Sequence, residues 1–516
     1  VARHPRAREP ELTEAKMVTH FNRRTFLGVT LAATATAVLA SCTTETGARA
    51  EADRILSTDP LVAQYEARRV ANGATVTQKL IAGTFDTMVA GTALTTWGYN
   101  GTVNGPLIRA TTGDLLAVPV TNTLAEPTSI HWHGLALRND ADGVPGVTQK
   151  AIAPGVNYGY QFLLHQPGTY WYHSHVDMQR ERALSGALVI DDPNEPMAYD
   201  QEWVILLDDW LDGLPGTPND ALKVLADGSG MSGMDSGMSG MGSTFTSPYL
   251  GGDAGDVPFP VHLFNGQAPQ TAEVFDSRPG NRIRLRIINA AGDTAYRVGI
   301  PGQKLTLTHT DGFPVQHQEV DAVVLGMGER IDALVTVVDG YTPVLALPEG
   351  KDGSAYGLIR TGSGTPPSPD RMPSTLTGDV TDGGQLRADE SVRLQSRTPT
   401  RRHEMRLTGG MHSYDWSING RTFNMDDPYA GAFDISLNER VQITVTNDTM
   451  MWHPMHLHGH TFQIAGNGAR KDTVIVRPGR TVTIEFDADN PGQWLVHCHN
   501  AYHAARGMIG LVSYVR

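Results

Sequence analysis

Two stretches of this chain are copies of one another, and each copy carries histidines in pairs. Val120-Thr121-Asn122 ends nine residues before His131, and Val445-Thr446-Asn447 ends nine residues before His456. Further on, Pro167-Gly168-Thr169-Tyr170-Trp171-Tyr172-His173-Ser174-His175 aligns without a gap to Pro491-Gly492-Gln493-Trp494-Leu495-Val496-His497-Cys498-His499. A third, more diverged copy begins at Arg282-Ile283-Arg284-Leu285-Arg286-Ile287-Ile288-Asn289, with Val298 where the others place a histidine. Apolar residues alternate in these stretches (Val441, Ile443, Val445; Val482, Ile484, Phe486), the period of half-buried strands. With 55 Gly and 31 Pro to punctuate the strands, the pattern predicts an all-β fold of sandwiches. Three domains are expected at 60–193, 200–362 and 385–516, with a linker near Gly362-Ser363-Gly364-Thr365-Pro366-Pro367-Ser368-Pro369.

The last copy adds chemistry. In an extended His497-Cys498-His499, the thiol faces one way and both imidazoles the other. From Cys498 an imidazole follows at His503 and a thioether at Met508, and His453 is the candidate second imidazole. Two His, one Cys and a weak axial Met are the blue-copper ligand set. Zinc would draw on more cysteines or a short paired spacing. On the other face, four His-x-His pairs (His131/His133, His173/His175, His456/His458, His497/His499) offer eight imidazoles. Converging, they suit three metals with three, three and two ligands and positions open for a small molecule. The pairs come from the first and third copies, so the cluster is expected where those domains meet. Ser174 replaces the cysteine in the first copy, which should lack the mononuclear site.

Asn22-Arg23-Arg24-Thr25-Phe26-Leu27-Gly28 reads as a twin-arginine signal, and Leu39-Ala40-Ser41-Cys42 as a lipoprotein cleavage box. Residues 1–42 are then a lipoprotein signal, Met17 a candidate start, Cys42 the lipidated residue and 43–60 a tether. This predicts export and a lipid anchor at the outer face of the membrane or in the periplasm. Cys498 is left unpaired, as a copper ligand must be. The net charge of −14 argues against nucleic acid as a partner. Gly230-Met231-Ser232-Gly233-Met234-Asp235-Ser236-Gly237-Met238-Ser239-Gly240-Met241 sets four methionines in a polar segment with no core to fill. Soft thioethers select Cu(I).

His-Trp-His-Gly at 131–134, His-Ser-His at 173–175, His-Pro-Met-His-Leu-His-Gly-His at 453–460 and the run from His497 to Met508 resemble the copper signatures of the multicopper oxidases. The nearest resemblance is to the actinobacterial lipoprotein members linked to copper resistance. It implies three cupredoxin domains and four copper ions. Type 1 copper would be held by His453, Cys498 and His503 with Met508 axial. Type 2 would take His131 and His456. The type 3 pair would take His133, His173 and His499 on one ion, and His175, His458 and His497 on the other. Electrons would pass one at a time through Cys498 to its flanking histidines, and four would reduce O2 to two waters. Asp142, nine residues after His133, matches an acid that the family sets beside the cluster; alone, Asp142-Gly143 reads as a turn. Ala504 stands where some members carry Glu. Met451 matches a methionine that copper-detoxifying members place near type 1 copper, and Thr449 replaces their Asp. The resemblance thus implies a Cu(I) oxidase that also accepts phenols and Fe(II). The alternatives are a laccase with a phenolic or aromatic-amine donor, and a non-catalytic copper-buffering lipoprotein.

Overall fold

Val441, Ile443 and Val445 lie on one face of the strand Arg440–Asn447, opposite Phe486, Ile484 and Val482 of the antiparallel strand Thr481–Asp487. Alternate side chains of a strand share a face, so this run closes one side of a core. The same construction recurs along the chain. The computed structural model describes residues 53–214, 216–227 and 245–516. The twin-arginine segment, Cys42 and the four methionines Met231, Met234, Met238 and Met241 lie outside them.

Apart from a small two-stranded sheet of Thr246–Ser247 and Gly252–Asp253, the described strands form three successive pairs of sheets. A five-stranded and a four-stranded sheet lie between residues 75 and 191, two six-stranded sheets between 201 and 382, and a six- and a five-stranded sheet between 401 and 514. Within each pair, buried residues of both sheets pack into one core, as Leu116 and Val118 do with Tyr170 and Leu188. The middle pair takes its last strand, Val380–Asp382, parallel to Ala322–Leu325. Its sheets therefore run past residue 362, where the composition break set the expected end.

The asparagine that closes each copied strand explains why the repeat survives. Asn122, Asn289 and Asn447 are all fully buried. Each side-chain amide donates to two backbone carbonyls, those of Glu126 and Ile152, of Thr294 and Leu325, and of Met451 and Val476. Each side-chain oxygen accepts the backbone N–H two residues on, from Leu124, Ala291 or Thr449. Buried backbone groups must find partners, and one asparagine satisfies three of them in each sandwich. The register repeats as well: His131 pairs with His173 as His456 pairs with His497. In the middle copy Val298 occupies the equivalent strand and is buried.

Buried polar contacts tie the sandwiches together. Asn139 donates to the carbonyl of Gln493 at 2.7 Å and accepts from its N–H at 3.2 Å. Gly492, with φ 150°, leaves room for Asn139, which a Cβ there would overlap. Arg330 makes a two-pronged ion pair with Asp472, at 2.7 and 2.6 Å, and reaches the carbonyl of Thr169. That one guanidinium joins all three domains.

Candidate metal centre

Cys498 ends the buried strand Gln493–Cys498. Asn500 then caps the helix Ala501–Ala505 by accepting from the N–H groups of Tyr502 and His503, which turns His503 back toward the thiol. Cys498 Sγ lies 3.6 Å from Nδ1 of both His453 and His503, and these two nitrogens are 3.1 Å apart. Both outer nitrogens are held: His453 Nε2 by Thr449 Oγ1 at 2.8 Å, His503 Nε2 by Asp256 Oδ2 at 3.3 Å. Met508 is buried and its carbonyl accepts from Cys498 N–H. Met451 is buried two residues before His453. Thr449 fills the place of the expected Asp, while Asp448 turns outward to Arg406. Burial opposes charge on His503, but Asp256 and Cys498 outweigh it and raise its pKa to about 10; burial pushes His453 well down.

The eight histidines converge where the first and third sandwiches meet. His131 stacks on His458 and His133 on His456, with ring centroids 3.8 Å apart in both pairs. The antiparallel pairing of His-x-His on His-x-His gives the centre an approximate two-fold arrangement. A carboxylate closes each stack. Asp142 Oδ2 bonds His458 Nδ1 at 3.0 Å, and its Oδ1 lies 3.2 Å from His131 Nδ1, which is bonded to the Asp142 carbonyl. Asp472 Oδ1 bonds His133 Nε2 at 3.1 Å and lies 3.4 Å from His456 Nδ1, which is bonded to the Asp472 carbonyl. Beyond the stacks, the rings of His175, His458 and His497 lie 5.1–5.4 Å apart, and His499 lies 4.8 Å from His133 and 5.5 Å from His173.

Hydrogen bonds select the tautomers. Nδ1 of His131, His173, His456 and His497 faces the carbonyls of Asp142, Ser174, Asp472 and Cys498 at 2.8–2.9 Å. A carbonyl only accepts, so each Nδ1 carries the proton and each Nε2 presents a lone pair. Nε2 of His131, His173 and His456 is buried with no hydrogen-bond partner. His133 is turned round, with Nε2 on Asp472 and Nδ1 unpartnered. Burial holds His133, His173, His458, His497 and His499 far below their ordinary pKa, and His175 at about 3. Neutral imidazoles with bare lone pairs are the form that binds metal. Groups of three ligand atoms within 4.8 Å form at His131/His456/His458, His131/His133/His173, His175/His458/His497 and His453/Cys498/His503. The donor set fits nitrogen-bound copper on one side of Cys498 and a thiolate site on the other.

Sequence models of the multicopper oxidase family match residues 84–195, 201–347 and 396–515. The multicopper oxidase MmcO of Mycobacterium tuberculosis is 42% identical over 96% of this chain and 97% of its own. The chain belongs to the multicopper oxidases. It is a copper-binding, oxygen-reducing oxidase, and its three sandwiches are cupredoxin domains. A copper resistance protein A homolog of Pseudomonas syringae pv. tomato is 30% identical over 83% of the chain and 90% of its own. Among solved structures, a laccase of Botrytis aclada superposes with TM-score 0.71 at 25% identity, covering 87% of this chain and 89% of that one.

Three residues of this oxidase's centre escaped the sequence reading. Asp472, Asp256 and Arg180 lie at no repeated spacing from a histidine motif. Arg180 donates to the His499 carbonyl at 2.6 Å and sets Nη1 2.9 Å from its Nδ1. Burial opposes the charge of Asp472, and Arg330 more than offsets that, holding the carboxyl well below its usual range.

Proposed function

We propose that this oxidase takes its electrons from Cu(I) at the cell envelope and converts it to the less membrane-permeant Cu(II), serving copper detoxification. The observation that carries this reading is the burial of the donor side: His453 and His503 are both fully buried, behind Thr449 and Asp256. An aromatic donor needs an exposed imidazole edge to lie against. A small metal ion needs only a polar group leading to it, and Asp256 Oδ1 is unpartnered. The likeness to copper resistance proteins supports the same donor. The likeness to laccases favours a second reading, with a phenol or aromatic amine as the donor.

In this reading four copper ions are held. His453, Cys498, His503 and Met508 would hold type 1, and His131 and His456 would hold type 2. His133, His173 and His499 would hold one type 3 ion, and His175, His458 and His497 the other. Bound copper supplies the one-electron couples that accept the donor's electrons and deliver four of them to O2. The chain supplies the rest. Cys498 connects the two sides through one peptide unit, and its carbonyl accepts from His497 Nδ1 at 2.8 Å, a short path within one strand end. Asp142 and Asp472 fix two rings each, so those ligands meet the metals without reorganising. We also assign Asp142 the role of the acid beside the cluster, as the resemblance implies.

The test is oxygen uptake by the copper-loaded protein with Cu(I) as sole donor, against a phenol. Fast Cu(I)-driven uptake, reduced when Met231, Met234, Met238 and Met241 are replaced by Ser, is expected. Phenol-driven uptake with no Cu(I) preference and no effect of those changes would make the protein a laccase. We also propose that Cys42 anchors it by lipid; Cys42→Ala should then release it from the membrane fraction. Among the described residues no helix is long and apolar enough to cross a membrane.

A further inference from the structure

Oxygen reduction consumes protons, and the wall where some relatives carry an acid is bare here. Ala504 lines a cavity of about 610 Å³ that ends on His173, His175 and His497, and Arg180 forms part of the same wall. Directly behind Arg180 stands Glu181, on the short turn Gln179–Glu181. It is 3% exposed, and neither carboxyl oxygen has a hydrogen-bond partner. Its nearest charge is Arg180 Nε at 3.4 Å. The carboxyl lies against Gly292, whose carbonyl accepts from Ala501 N–H on the helix that carries His503.

Every neighbouring acid is occupied. Asp209 accepts from the N–H groups of Gly292 and Asp293, Asp293 from Asn500 and Lys351, and Asp208 from Asp209 N–H. The Tyr502 hydroxyl, which feels the Glu181 charge, is also unpartnered. Tyr296 of the middle sandwich feels that charge too, and its hydroxyl donates to the Asp208 carbonyl. A buried carboxyl with no hydrogen bond and one arginine at 3.4 Å is costly to keep charged, and such groups are retained where their proton is used.

We propose that Glu181 is the proton source for oxygen reduction, feeding the cluster past Arg180, whose guanidinium stays charged, by way of the cavity, in place of the acid missing at Ala504. In each delivery the carboxyl O–H bond breaks, an O–H bond of product water forms, and solvent returns a proton to Glu181. Four such deliveries balance O2 + 4 H⁺ + 4 e⁻ → 2 H2O. Burial, with Asp209 adding to it against Arg180, pushes the Glu181 pKa up to about 8, so the group carries its proton at neutral pH.

The proposal rests on the eight histidines being the oxygen-reducing centre, but its first test does not. Infrared titration of the copper-free protein should show a buried protonated carboxyl that ionises near pH 8, absent in Glu181→Gln and shifted in Glu181→Asp. In the loaded enzyme, Glu181→Gln should lower kcat about 100-fold with either Cu(I) or a phenol. It should also leave the donor KM unchanged and enlarge the solvent isotope effect, since proton delivery then limits turnover, with partial rescue by Glu181→Asp. No protonated carboxyl at pH 7, a band that survives in Glu181→Gln, or a wild-type pH profile in that variant would each overturn it. A change of donor preference alone would instead touch the Cu(I) reading.

Discussion

Two carboxylates, Asp142 and Asp472, do the same work at the cluster in different electrostatic settings. Each is fully buried and lies against two histidines, but only Asp472 also neutralises a buried cation, Arg330. Removing one partner of a buried ion pair strands the other, at about 3–5 kcal/mol. Asp472→Asn should therefore destabilise the copper-free protein by that order in denaturant unfolding. Asp142→Asn should cost clearly less and act on turnover instead. Equal losses for the two variants would show that Arg330 does not depend on Asp472. Cys498→Ser should abolish the blue absorption and oxidase activity while much of the cluster stays metallated, read by metal analysis. Cys498 and its histidines were legible in the sequence because strand geometry alone fixes what a His-Cys-His run presents. Asp472 and Asp256 were not, because each reaches its histidines by folding, from stretches without motif spacing.

Among elements, the copied Val-Thr-Asn strand ends were readable as a repeat, but their reason lay in the hydrogen bonds. Replacing any of these asparagines by Ala removes three hydrogen bonds to the backbone, and each buried group left unmet costs about 1–3 kcal/mol. The three positions should nonetheless differ in effect. Asn447 holds the loop that carries Thr449 and Met451, and Thr449 is bonded to His453. Asn447→Ala should shift or bleach the blue absorption and lower the unfolding midpoint. Asn289→Ala, in the middle sandwich, should lower the midpoint only. If both variants kept an unaltered absorption band, the asparagine would brace the fold without positioning the thiolate site. The strand Val380–Asp382 shows the limit of composition: Gly and Pro mark where a chain turns, not which sheet claims the next strand.

At the scale of the molecule, the expectation that the first and third copies meet at the histidines follows from counting ligands, since neither copy holds enough alone. What secures the middle sandwich against the first could not be counted in that way. Asp332 is buried between Arg284 and Arg286 and accepts from Thr169 Oγ1 of the first sandwich at 2.7 Å. Burial opposes its charge, yet the two guanidiniums hold its pKa at about 2, against about 3.9 for an unfolded Asp. A carboxyl whose pKa is depressed by folding stabilises the fold above its unfolded value, and that stability is lost as pH falls through the folded one. The contribution is about 2–3 kcal/mol, present in full above about pH 5 and gone below about pH 1. Denaturant unfolding of the copper-free protein should therefore show stability falling steeply between about pH 4 and pH 2. Asp332→Asn should be less stable at neutral pH, with Arg284 left to Glu195 and Arg286 to Glu202 alone, and its stability should vary less over that acid range. An unchanged acid slope in Asp332→Asn would mean that other carboxylates, Asp472 first among them, carry the acid sensitivity of the interface.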